Sequence, residues 1–196
     1  MPNSFNFFLI LMASLATGCA HSIQLAPDLD DLRMTAVSDP IDKNVGYYIS
    51  VADRTAEVVT PGGGGDDVKY FPYKDTEAAL NTMLSKVFTR VYSIPNLNDT
   101  AFFEEKNIRM IFIPTITTDS SSSSVVTWPA TDFTFTLTCT VTDTSGRKIW
   151  AKTVSAQGKA EFDEFKHDHS LSARRASEEA YEDMLSKVLN ADVLRE

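Results

Sequence analysis

Apolar and polar residues alternate most strictly from residue 133 to 142, where Phe133, Phe135, Leu137, Cys139 and Val141 interleave with Thr134, Thr136, Thr138, Thr140 and Thr142. A period of two is that of a strand with one dry and one wet face, and β-branched threonine suits the wet one. Asp143-Thr144-Ser145-Gly146 follows as a turn with glycine available for a left-handed position, and residues 149 to 157 read as the returning strand. Upstream, residues 108 to 118 are almost continuously apolar through Met110-Ile111-Phe112-Ile113, which predicts a strand covered on both faces over part of its length. Val45, Tyr47, Ile49 and Val51 alternate with Gly46, Tyr48 and Ser50 and predict the first strand of the domain.

Two stretches change to the helical period. Leu80, Met83, Leu84, Val87, Phe88 and Val91 recur at i, i+3, i+4, i+7, i+8 and i+11, with Asp75 placed to cap, Glu77 in the first turn and Pro95 to close. Ser170 opens a second helix over 171–189, with Ala173, Ala176, Ala180, Met184 and Val188 on one side. Met83-Leu84-Ser85-Lys86-Val87 recurs as Met184-Leu185-Ser186-Lys187-Val188. The flanking strands carry no matching identity, which favours two helices shaped by one sheet over a duplicated half.

The order strand, helix, three strands, helix predicts an α+β two-layer sandwich: a mainly antiparallel sheet of four or five strands with both helices on one face. This single domain is expected over 45–196. Residues 19–44 read as a tether in which Ile23 and Leu25 mark one brief extended piece. Val58-Val59 and residues 68–71 flank the run Gly62-Gly63-Gly64-Gly65 and pair as short strands; residues 96–106 form a polar loop whose Phe102-Phe103 packs back on the domain. Ser120 to Ser124, leading to Trp128, is a wide surface connection, because serine competes for backbone hydrogen bonds and adds nothing to a core.

Ahead of all this lies an uncharged leader. From Phe5 to Leu15 the chain is an apolar run of signal-peptide length, too short to span a bilayer, and small residues then precede Cys19. Ala16-Thr17-Gly18-Cys19 resembles the lipobox of bacterial lipoproteins. The Ile-x-Leu-x-Pro piece from Ile23 to Pro27, a first strand ending in Asp53-Arg54, and the element order resemble small bacterial outer-membrane lipoproteins of the YajG type and auxiliary lipoproteins of envelope transport. That resemblance implies a cleaved leader over 1–18, acylation of Cys19, and, with Ala20 next, residence on the periplasmic face of the outer membrane. Several acyl chains on one residue exceed what stable anchoring needs.

The leader carries no charge, so the net charge of −9 belongs to the roughly 180 residues that follow it, enough for one domain with a full core. Such acidity opposes binding of nucleic acid by bulk electrostatics. The glycine run lacks the Lys-Ser or Lys-Thr of a phosphate cradle and is followed by Asp66-Asp67, so it reads as a loop, with partner contact as its functional version. No cofactor motif is present. No elbow motif surrounds the serine run, and Cys139 sits in a strand, where it reads as a buried thiol. His167 and His169, with four acids between 161 and 168, are the metal candidates. The leading expectation is a non-enzymatic, lipid-anchored module that binds another envelope protein, through a surface that includes Gly62, Gly63, Gly64, Gly65 and Trp128. Its rivals are a periplasmic metal-dependent hydrolase built on Asp163 to His169 and a lipid-carrying domain.

Overall fold

The structure is a computed structural model that describes residues 20–62, 66–121 and 131–196. Among these, eight strands are formed: β1 (Ala20–Ser22), β2 (Ile41–Tyr47), β3 (Val58–Pro61), β4 (Asp67–Tyr70), β5 (Phe88–Ser93), β6 (Ile108–Ser121), β7 (Asp132–Asp143) and β8 (Lys148–Lys159). Six helices accompany them: α1 (Asp30–Met34), α2 (Val51–Thr55), α3 (Pro72–Val87), α4 (Thr100–Glu105), α5 (Phe162–Phe165) and α6 (Leu171–Leu189).

The strands form two mixed sheets. A five-stranded sheet has the order β5-β2-β6-β7-β8, and a three-stranded sheet has the order β1-β4-β3. In the larger sheet β2 is parallel to both β5 and β6, while β6, β7 and β8 form an antiparallel meander. In the smaller one β1 is parallel to β4 and β3 is antiparallel to it. The expected sandwich of one mainly antiparallel sheet under two helices is therefore corrected: there are two mixed sheets and six helices among the described residues.

Three local events account for part of the difference. Val87, Phe88 and Val91 fit a helical spacing, yet the helix ends at Val87 and Phe88–Ser93 continues as β5. Phe, Thr, Val and Tyr in that run favour a pleated surface, and a short apolar run fits either period. The polar loop expected over 96–106 contains α4, whose N-cap Asp99 accepts from the Phe102 amide at 3.0 Å and which buries Phe103. β2 begins at Ile41, within the segment expected to be a tether.

The main core lies between the larger sheet and the pair α3 and α6. Leu80, Met83, Leu84 and Val87 of α3 meet Ala176, Ala180, Met184 and Val188 of α6 over Phe133, Phe135, Leu137 and Val141. The recurring Met-Leu-Ser-Lys-Val segments both put their Met, Leu and Val into this core. A smaller cluster of Ile94, Phe103, Ile108 and Ile111 sits apart from it. At the β7–β8 turn Gly146 takes the left-handed conformation at φ 84°, while Asp143 Oδ1 accepts from the Ser145 and Arg147 amides at 2.9 and 3.0 Å.

Candidate functional site

The residues directly behind Cys19 are built into the domain. Ala20, His21 and Ser22 pair with Asp67, Val68 and Lys69, and the Ile23 amide donates to the Lys69 carbonyl at 3.0 Å. Side chains of the two long helices then take over. Ser170 Oγ accepts from the Gln24 amide at 3.0 Å, Asp75 Oδ2 accepts from the Leu25 amide at 3.1 Å, and Ser177 Oγ donates to the Leu25 carbonyl at 2.6 Å. Ile23, Leu25 and Pro27 are buried at alternate positions. Asp75 and Ser170 were expected as helix caps; α3 opens at Pro72, so Asp75 lies inside it and its carboxylate takes the amide of the N-cap residue Phe71 as well as that of Leu25, while Ser170 makes no capping bond and is turned to Gln24. Burial pushes the Asp75 carboxyl above its ordinary range against the two amides that hold it down.

The same end of the molecule holds the β3–β4 hairpin and the far ends of β6 and β7. Ala20 and Pro61 are both register partners of Asp67, so the three lie in one row across the small sheet. Ser120 Oγ, buried, donates to the Pro61 carbonyl at 2.6 Å and lies 2.5 Å from Thr60 Oγ1. Tyr70 Oη bridges Thr60 and Thr118 at 3.2 and 2.8 Å, and desolvation raises its pKa. These hydroxyls fasten the hairpin to β6. Ser121 pairs with Asp132, and Asp132 with Lys159, so the row continues along the rim of the larger sheet. Gly62 donates its amide to the Asp66 carbonyl at 2.8 Å, and a Cβ on it would lie 2.9 Å from that oxygen, so a side chain here requires the backbone to shift.

Of the residues singled out in the sequence, Cys19, Gly63, Gly64, Gly65 and Trp128 lie outside the described residues, while Gly62 stands on this rim. His167 and His169 fall just before α6, both exposed. Their acidic neighbours are held by cations: Asp163 by Lys166, Asp168 by Arg174, and Glu164 by Arg175 at 2.8 Å. The Arg175 hydrogen bond holds the Glu164 carboxyl down at about 2. The His169 ring lies 6.2 Å from that of Phe165. Among the described residues, three ligand-type side chains converge instead at Asp31, Glu178 and Glu182. No periodicity or motif marks this trio, because α1 and α6 are far apart in sequence and meet only in the fold. Cys139 is buried and free, its thiol pushed up to about 12 by desolvation.

A half-buried ion pair stands between α2 and α3. Arg54 donates to both oxygens of Glu77, at 2.9 and 2.8 Å, and also to the Ile49 carbonyl and Ser93 Oγ; Tyr47 Oη donates to Glu77 at 3.0 Å. The Arg54 hydrogen bonds hold the Glu77 carboxyl below its ordinary range. At the end of the sheet opposite the hairpin, a cavity of about 660 Å³ is lined by Lys43, Arg109 and Arg147 together with Asp42 and Glu196. Among the described residues no helix is long and apolar enough to cross a membrane.

No protein-family model matches the sequence, and no curated protein matches it. Solved structures give likenesses of overall layout. One is a Xanthomonas campestris protein of the DUF330 family, at 10% identity and a TM-score of 0.47, covering 91% of this chain and 96% of that one. A minor lipoprotein of Acinetobacter baumannii matches at 13% and 0.41, covering 75% and 92%. A neuraminyllactose-binding hemagglutinin homolog from Helicobacter pylori matches at 11% and 0.43, covering 80% and 86%. No residue assignment rests on these likenesses.

Proposed function

We propose that this chain is a lipoprotein of the outer membrane, acylated on Cys19, facing the periplasm and acting without catalysis as a binding or assembly module for another envelope protein. The observation that carries this reading is the role of the residues after the cysteine. From Ala20 onward the chain is needed by the fold, as a strand of the small sheet and as a buried strip between α3 and α6. A processing site at Cys19 removes the uncharged leader and keeps this strand and strip with the domain. Two ionisable groups support a structural role for their members: Asp163, Glu164 and Asp168 beside His167 and His169 are in ion pairs, and Arg54 with Glu77 ties α2 to α3.

The reading is tested in cells. Wild-type protein takes up labelled palmitate and fractionates with the outer membrane, and Cys19→Ala loses both. Cross-linking of the anchored protein in intact envelopes yields a discrete adduct with a second envelope protein. Outer-membrane residence without palmitate, or acylated protein that yields no adduct, overturns the corresponding half of the proposal.

A further inference from the structure

Resting on acylation of Cys19, we infer that the domain is not hung from the membrane on a slack tether but stands on it, with the rim formed by Ala20, Asp66, Ser121, Asp132 and Lys159 against a zwitterionic headgroup layer. The geometry follows from the length of free chain. Cys19 and Ala20 are adjacent, so their Cα atoms lie about 3.8 Å apart. Ala20 is register-paired to Asp67, and the next five residues are held by β4, Asp75, Ser170 and Ser177. A Gly/Ser tether of ten residues wanders over roughly 17 Å; here no such length separates the acylated residue from the fold.

Ala20, Asp67 and Pro61 share a row, so Pro61 lies about 10 Å from Ala20 across two strand spacings. The Ser120 to Pro61 hydrogen bond then sets the ends of β6 and β7 beside that row. Anchoring at Cys19 brings this whole rim to the bilayer. The rim carries Asp66, Asp67, Asp119 and Asp132 beside His21 and Lys159, with His21 3.5 Å from Asp66 and Lys159 3.6 Å from Asp132. This acid-rich edge meets the ammonium of a zwitterionic headgroup favourably and opposes a wholly anionic surface.

The opposite consequence concerns the other end. β6 runs 14 residues from Ile108 to Ser121, a length of roughly 40 Å. The cavity lined by Lys43, Arg109 and Arg147 lies by the start of β6 and so projects away from the bilayer, where a periplasmic partner can reach it.

The test uses the acylated full-length protein in phosphatidylcholine and phosphatidylethanolamine vesicles, with one added cysteine carrying a spin label at Asp66, Lys159 or Arg147. Cys139 is buried and does not compete for the label. Relaxation by a nickel-chelating headgroup is expected to be at least threefold stronger at Asp66 and Lys159 than at Arg147. An insertion of about eight Gly/Ser residues between Cys19 and Ala20, giving about 16 Å of slack, is expected to erase most of that contrast. Equal relaxation at both ends in vesicle-bound, acylated protein overturns the standing orientation and leaves acylation intact. A mass spectrum showing no acyl group on Cys19, with protein that does not float with vesicles, overturns the anchoring and the orientation with it.

Discussion

Arg54 ties three separate segments together through its side chain: Glu77 of α3, the Ile49 carbonyl after β2, and Ser93 of β5. Its guanidinium meets Glu77 of α3 in a two-point contact, and the Ile49 carbonyl and Ser93 Oγ take further donors. The Arg54 and Glu77 side chains are each 27% exposed, so the pair is only partly screened. Hydrogen bonds to charged groups contribute about 1.5–3 kcal/mol each where sheltered, and Glu77→Ala is expected to destabilise by about 2 kcal/mol in urea unfolding, with Arg54→Lys losing most of the same amount. Acids elsewhere act in two directions with pH. Asp143 and Glu164 are held down at about 2, chiefly by the Ser145 hydroxyl and Arg175 respectively, so their contribution is fully present above the ordinary carboxylate range and is lost as pH falls through about 2. Glu178 and Glu182 are shifted up, chiefly by desolvation and then by neighbouring acids including Asp31. A carboxyl whose folded pKa is raised penalises the fold above that pKa, and the penalty vanishes below the unfolded value. Glu182→Gln is accordingly expected to raise Tm at pH 7 and to leave it unchanged at pH 3, measured by thermal melts. Cys139 in the native protein is expected to resist a thiol reagent at pH 8 and to react fully on unfolding, which stopped-flow labelling in denaturant distinguishes.

Between elements, the contact that tolerates least is α6 on β8. Gly158 faces backbone rather than side chain: a Cβ there would sit 1.9 Å from the Ser172 carbonyl oxygen and 2.6 Å from the Ala176 nitrogen. The helix face that comes so near is made of small residues, Ser172, Ala173, Ala176, Ser177 and Ala180, all buried. Overpacking of this kind costs about 1–3 kcal/mol when neighbours can shift, and Gly158→Ala should reach the upper part of that range because a helix, not a rotamer, must move. The strictly alternating β7, the β7–β8 turn and α6 were legible in the sequence because each is specified by its own residues: a period of two, a turn with glycine at the left-handed position, and a long 3.6-residue stripe. The parallel pairs β5 with β2 and β2 with β6 were not, since parallel pairing is decided between distant segments and a six-residue run such as Phe88–Ser93 satisfies both periods. The candidate rim was half legible. Glycine at 62 and the strands flanking it could be read locally, but nothing local links Pro61 to Ser120 or Ala20 to Asp67.

At the scale of the whole molecule, the N-terminal strip joins the small sheet to the helix pair. It adds a strand to β4, lies across α3 and α6, and hydrogen-bonds to a side chain of each. Tyr181 Oη donates to Thr76 Oγ1 at 3.1 Å and Thr76 to the Pro72 carbonyl at 2.7 Å, so α6 and α3 are also cross-bonded in the interior. Removing residues 20–27 exposes the surface that Ile23 and Leu25 cover, and each such side chain contributes about 1.5–3 kcal/mol by burial. It also takes the Leu25 amide from Asp75 and the Leu25 carbonyl from Ser177. A loss of about 3–6 kcal/mol at 2–4 °C per kcal/mol for a domain of this size gives a fall in Tm of roughly 6–24 °C. Protein beginning at Asp28 is therefore expected to melt at least 6 °C below protein beginning at Ala20 in calorimetry, whereas a freely hanging tether over the same residues predicts no change. Leu25→Ala alone should account for about 2–5 kcal/mol of unfolding free energy, since its side chain is fully buried. If both variants melt with the parent, the strip is a passenger, and the short distance from anchor to fold loses its mechanical meaning.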